Sequence, residues 1–325
     1  IDENIDSLLE ECRRDDEAQQ SSDPDSEPAE SHVARFSQRL IEVEWLPCKK
    51  FFSDGMLPLP KEIPDVAAPL DMRPKEDAWM CSFSKSLMDG FVSNDALKKL
   101  FGWDKDVDVL SVGAQLLAIG RGFEEQGSFT PSFRQTLASN IPRMYALMDE
   151  FLRAGLAEAQ AENGDAESGD KLVFMESVKS MLQGKHWIFV GDNFVGCNRV
   201  AFKAPSNARP HLYQVPVELE CFEPMLKYFG VRDSFEVGDY VQVNAGLYEK
   251  MNGKPVDAGD LDLAVGMAKL LAALGKEEID TRVVYLPGEN SVLNPAGDMV
   301  YDDAPWLSSS LAGKLRLRFV HPLGG

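Results

Sequence analysis

The sequence predicts an α+β fold of degenerate repeated units, each a β-hairpin followed by a helical bundle, so that helices mix with short antiparallel strands. Three observations predict it. The order helix, strand, turn, strand, proline-bearing bend is written three times. The first two bends are followed by helical segments that share a Phe-Gly stop, at Phe101-Gly102 and Phe229-Gly230. Of the 325 residues 44% are hydrophobic, enough for a real core and, at this length, for about two domains.

Residues 1–31 are expected to form a disordered acidic arm. RRDDEAQQSSDPDSEPAES holds almost no large apolar side chain, so ordering it would cost backbone entropy with no burial to offset it. The first hairpin-plus-helices unit is placed at 32–160. Within it VARFSQRLIEVE has helical spacing, WLPC is strand-like around Trp45, GMLPLP turns back and APLDMRP closes on Pro74. SNDALKKLFGWDKDVDVLSVGAQLLAIGRGF then gives a helix, a stop at Gly102 and a second helix, a glycine just past a helix end being the usual left-handed cap. In TPSFRQTLASNIPRMYALMDEFLRAGL, Thr130 caps a further helix and Pro131 fits its first turn.

The Ala-, Gly- and acid-rich stretch at 161–170 is the expected linker or surface loop. The second unit, 171–280, repeats the order with KLVFMESVKSMLQG, then HWIFVG around Trp187, NFVGCNRVAF and a bend ending at Pro210, followed by a helix stopped at Gly230. The third, 281–325, reads as the start of a truncated unit, with RVVYLPG around Tyr285, ENSVLNPAGDMVY and a bend through Asp302, Asp303 and Pro305 to Trp306. Trp45, Trp187 and Tyr285 are the expected equivalent anchors, and Pro74, Pro210 and Pro305 the expected elbows. Because the chain opens on Ile rather than Met, it is read as a fragment.

Composition excludes several function classes. The formal net charge is −20, and nucleic-acid affinity comes largely from clustered Lys and Arg, so no nucleic-acid partner is expected. Half of that charge sits in residues 1–30, where twelve acids face only Arg13 and Arg14. No apolar run approaches the roughly 20 residues of a bilayer span, and the N-terminus lacks a secretory pattern, so no membrane role and a cytoplasmic location are expected. The five cysteines are widely spaced and fit reduced thiols.

Each candidate for chemistry has a structural reading that accounts for it better. Asp302 and Asp303 could hold a metal or share a proton, but no histidine or further acid stands near, and the other two bends carry no paired acids. They read as a strand-to-helix joint, with Pro305 in its first turn and Trp306 anchoring it in the core. Asp104, Asp106 and Asp108 imitate a calcium loop, yet Val109 and Gln115 stand where glycine and glutamate are needed, so the acids read as a helix cap. His32, His186, His211 and His321 are scattered, and His186 could pair with an acid. No Gly-x-Ser-x-Gly elbow or Walker spacing occurs. Met144, Met148, Phe151 and Leu152 run at helical spacing, as core or as a groove for partner proteins.

Several stretches resemble one family. LPGENSVLNPAGDMVYDDAPWL, HWIFVGDNFV, LYQVPVEL, LKYFGVRDSFEVGDYVQV and LRFVHP, with VAAPLDMRPKEDAWMCSFSKSLMDG upstream, resemble the sacsin-like proteins, giant intracellular chains of repeated modules. The resemblance covers residues 31 to the end and implies a segment downstream of a Bergerat-fold, heat-shock-ninety-like ATPase part. The ordered residue set of that nucleotide site is not present, so no catalytic, cofactor-binding or metal residue is carried over and no cofactor is expected. The implied role is a non-catalytic structural or client-contacting segment of a chaperone-related protein, with protein partners or unfolded clients. Two alternatives stay open: a scaffold that binds folded proteins, and an enzyme whose site is assembled at a cleft between units.

Overall fold

The computed structural model describes residues 7–8, 10–14, 32–49, 63–80, 85–160, 166–204, 209–274, 284–302, 306 and 318–320. The protein is a mixture of helices and small sheets, and it divides into two compact units, Ile1–Val195 and Gly196–Gly325.

In the first unit helix α1 (His32–Glu42) leads to strand β1 (Leu46–Pro47), antiparallel to β2 (Val66–Ala67). A 3-10 turn, Pro69–Asp71, precedes β3 (Met72–Arg73), which pairs in parallel with β4 (Ser86–Leu87). Helix α2 (Asp95–Leu100) starts at Asn94, whose Oδ1 accepts from the Ala96 and Leu97 N–H groups at 2.8 and 3.1 Å. It stops at Gly102, whose φ of 68° turns the chain so that the Trp103 N–H reaches the Lys98 carbonyl at 2.7 Å. Helices α3 (Val109–Gln126), α4 (Pro131–Gln160) and α5 (Ala166–Leu182) then pack together, and the hairpin of β5 (Ile188–Val190) and β6 (Asn193–Val195) lies against α3.

The core of this unit follows from helical spacing. Val112, Leu116 and Ile119 of α3, Met144, Met148 and Leu152 of α4, and Met175 and Val178 of α5 are all fully buried. Each such side chain contributes roughly 1.5–3 kcal/mol by leaving water. One backbone approach is closer than any side chain allows: a Cβ on Gly120 would lie 1.8 Å from the His186 carbonyl oxygen. Only glycine lets α3 meet the chain entering β5.

The second unit centres on β7 (Val200–Lys203), flanked in parallel by β8 (Tyr213–Gln214) and β9 (Arg232–Ser234). Helix α6 (Glu223–Tyr228) ends at Gly230, φ 102°, with the Val231 N–H on the Leu226 carbonyl at 2.9 Å, the bond pattern seen at Gly102. Helix α7 (Val237–Met251) begins with a capping box of Glu236 and Asp239, and α8 (Ala258–Leu274) packs on it. The hairpin of β10 (Tyr285–Pro287) and β11 (Leu293–Pro295) completes the unit, and Ala201, Phe235, Tyr240, Leu247, Leu263 and Met267 lie in its core.

Several expectations need correction. Of the stretch read as a linker or loop at 161–170, residues 166–170 open α5, which packs along α3 and α4, and 161–165 lie outside the described residues. Residues 10–14 are helical, with Glu10 and Arg13 paired one turn apart at 3.5 Å, so the acidic arm is not wholly irregular; its residues 15–31 lie outside the described residues, as do Asp303 and Pro305. The strands are not all antiparallel, since β3–β4 and both β7 pairings are parallel. Pro74 directly follows β3 whereas Pro210 lies in the turn before β8, so the two prolines do not hold equivalent places. Trp306 is 76% exposed, which removes it from the core.

Candidate functional site

Two grooves adjoin on the first unit. The larger, about 900 Å³, runs between the segment after β3 and helix α4. Arg73 anchors one wall: its Nε bonds Asp77 Oδ2 at 2.6 Å, and its terminal nitrogens donate to the carbonyls of Gly102 and Lys105 at 3.4 and 3.2 Å. Across the groove the Arg143 guanidinium lies 4.4 Å from the Trp79 ring centroid, and the Lys75 ammonium stands 5.9 Å from Phe91, a ring left 71% exposed. Basic and acidic side chains line this groove in equal number, so it presents no field of one sign for a phosphate. The second groove, about 620 Å³, shares Val107 and Leu147 with the first and continues it past Phe151 to Phe174, which is 46% exposed.

The acids at the head of α3 serve the fold. Asp108 caps that helix, accepting from the Ser111 N–H at 2.8 Å and its hydroxyl at 2.7 Å. Burial pushes its carboxyl pKa up, but those two bonds and the charge of Lys85 outweigh it and hold the group below its ordinary value. Asp104 and Asp106 are exposed, and among the described residues no three His, Cys, Asp or Glu side chains gather as a metal site.

A third depression, about 200 Å³, lies on the second unit beside Arg199, His211 and Asp239. It resembles an acid–base pair on paper only. Asp239 is held by Arg232 Nη2 at 2.5 Å and by the Glu236 N–H at 2.8 Å, inside the capping box. Burial, reinforced by the charges of Arg199 and Lys250 and opposed by Asp260, lowers the His211 pKa. His186 pairs with Glu124 at 2.6 Å, the acid partner its position allowed.

The predicted structural residues fall as follows. Trp187 is fully buried, Trp45 is half-buried with its indole N–H on the Leu40 carbonyl at 2.8 Å, and Gly102 and Gly230 are the two left-handed stops. The register moves the third anchor by one residue: Leu46, Ile188 and Tyr285 open their hairpin pairings, so Val284, 5% exposed, stands where Trp45 and Trp187 stand. Asp302 is half-buried. Met144, Met148 and Leu152 are core, while Phe151 faces the groove.

Two fastening residues escaped the sequence reading. The Tyr145 hydroxyl of α4 donates to the Trp187 carbonyl and accepts from the Phe189 N–H, both at 3.0 Å, with its ring edge-on to Trp187. Asn244 of α7, 1% exposed, does the same for Tyr285, accepting from its N–H at 2.7 Å and donating to its carbonyl at 3.0 Å. A polar group in a buried helix stripe must find partners, but Asp149 on α4 and Tyr240 on α7 share those stripes, so the spacing does not single out Tyr145 and Asn244.

Fold and grooves together define a mixed helix-and-strand protein whose most conspicuous polar side chains hold its own backbone. No family model matches the chain. Over 125 residues, 35% of its length, it is 25% identical to sacsin of Homo sapiens, and the matched stretch spans 3% of that protein. No solved structure matches. Among the described residues no helix is long and apolar enough to cross a membrane.

Proposed function

We propose that this chain is a non-catalytic, client-contacting structural segment of a sacsin-like, chaperone-related protein made of repeated hairpin-and-helix units. The observation that carries the reading is the use of its chemistry-bearing side chains. Tyr145, Asn244, Asp108 and Asp239 each bind backbone groups of the chain itself, which gives each of them a role within the fold. What the surface offers instead is two adjoining grooves, one with exposed Phe91 beside Lys75 and with Arg143 over buried Trp79, the other with exposed Phe174 beside Lys171. Aromatic faces beside charges of both signs suit an unfolded polypeptide, which presents apolar and ionised groups in no fixed order.

The repeated plan has backbone support. Each hairpin is preceded by a helix and followed by a 3-10 turn, at Pro69–Asp71, Cys197–Arg199 and Ala296–Asp298, and then by a residue in parallel pairing, Met72, Val200 or Val300. Similarity to sacsin supports the parentage, and a heat-shock-ninety-like ATPase would belong to other parts of that parent.

The test compares binding of one reference protein in reduced, unfolded form and in native form. Preferential capture of the unfolded form, weakened severalfold by Phe91→Ser, supports client contact. Capture of folded partners alone makes the chain a scaffold, and micromolar ATP binding by the chain refutes the non-catalytic reading.

A further inference from the structure

The three hairpins fix one register: Ala67, Val195 and Pro295 pair with the opening residues Leu46, Ile188 and Tyr285. Four residues beyond each, the N–H groups of Asp71, Arg199 and Met299 donate to the carbonyls of Ala68, Gly196 and Ala296. Met72, Val200 and Val300 therefore share one place in the plan, and Arg73, Ala201 and Tyr301 the next. Their surroundings differ sharply. Met72 and Val200 are 1% exposed and Ala201 is fully buried, whereas Val300 is 40% and Tyr301 63% exposed.

A helical elbow covers the first two places. After Phe101-Gly102, Trp103 packs with Met72 and donates its indole N–H to the Met72 carbonyl at 3.2 Å, while Arg73 reaches the carbonyls of Gly102 and Lys105. After Phe229-Gly230, Arg232 and Ser234 pair in parallel with Ala201 and Lys203, and Phe235 and Tyr240 share the core with Ala201. In both cases the chain emerging from a left-handed glycine closes over the strand that follows the 3-10 turn. The caps agree too: Asp108 and Glu236 each stand six residues past that glycine and start the next helix.

We propose that the face of Val300 and Tyr301, with exposed Trp306 beside it in sequence, docks a third elbow of this pattern. Its occupant is a short helix ending in Phe-Gly, an apolar residue directly after, and an extended segment that adds in parallel at Tyr301, on the edge opposite the Val300–Phe319 bridge. This assignment rests on the repeated-unit reading above. Val300 is already bridged on one side, its N–H donating to the Arg318 carbonyl and its carbonyl accepting from the Val320 N–H, as Val200 is paired with β8. The other edge, at Tyr301, is the place where β9 adds to Ala201, and that β7–β9 pairing supplies the geometry within the same chain.

The probe is a synthetic peptide of residues 215–251, the chain's own second elbow, titrated into the whole protein. Saturable binding is expected, weakened at least tenfold by Tyr301→Asp in the protein and by Phe229→Asp in the peptide, and untouched by Phe91→Ser. Tyr301 is exposed, so the Tyr301→Asp protein should melt as the wild type does. Absence of binding, equal binding to Tyr301→Asp, or binding abolished by Phe91→Ser overturns the proposal. Unfolded-protein capture measured on the same samples separates the two readings: retained capture with no elbow binding refutes the docking face alone, and elbow binding without capture refutes client contact alone.

Discussion

Tyr145→Phe isolates the fastening of the second hairpin to helix α4. The substitution keeps the aromatic ring, whose centroid lies 5.8 Å from that of Trp187 at 83°, so little packing is lost. It removes the oxygen that bridges the Trp187 carbonyl and the Phe189 N–H. A buried backbone group left without a partner costs about 1–3 kcal/mol. Trp187 is fully buried, so its carbonyl bears the full penalty; Phe189 is half-buried, and its N–H regains some contact with water. The sum is a loss of roughly 2–4 kcal/mol. Urea unfolding followed by tryptophan fluorescence measures it, and the midpoint should fall at unchanged slope because the surface exposed on unfolding is the same. A loss below about 0.5 kcal/mol, the range of ordinary surface substitutions, would refute the claim that this hydroxyl holds the hairpin.

Two further outcomes follow from the geometry. Gly120→Ala sets a methyl group 1.8 Å from the His186 carbonyl oxygen, so α3 must separate from the hairpin; a destabilisation of about 3 kcal/mol or more is expected in the same urea assay, and a near-neutral result would show that this approach can relax. The His211 pKa lies below its ordinary value of 6.5, chiefly through burial. The unfolded chain therefore takes up this proton first, so the contribution is whole above that value and is lost as pH falls from it toward the folded pKa. His211→Gln should flatten the slope of melting temperature against pH in that window, and an unchanged slope would contradict the assignment.

Much of this architecture could be read residue by residue. Phe101-Gly102 and Phe229-Gly230 announce their helix stops because a left-handed bend excludes most side chains, a demand settled within a single residue. Asp108 caps α3 through a bond spanning three residues, and the buried stripe of Met144, Met148 and Leu152 follows from helical period. The same period left Phe151 undecided, since a helix shows which residues share a face and not what lies opposite.

Sequence alone determined most of the helices, the cap at Asp108, the stops at Gly102 and Gly230 and the acid-heavy N-terminus, all of which depend on interactions a few residues long or on composition. Tertiary structure alone decided the parallel pairing of β7 with β8 and β9, the one-residue shift from Tyr285 to Val284, the boundary after Val195, and the choice of Tyr145 and Asn244 as fasteners. These depend on groups brought together from up to 44 positions apart, as in the bond from the Phe189 N–H to Tyr145. Local preference carries no record of such partners, because the free energy that selects them appears only once the intervening chain has folded.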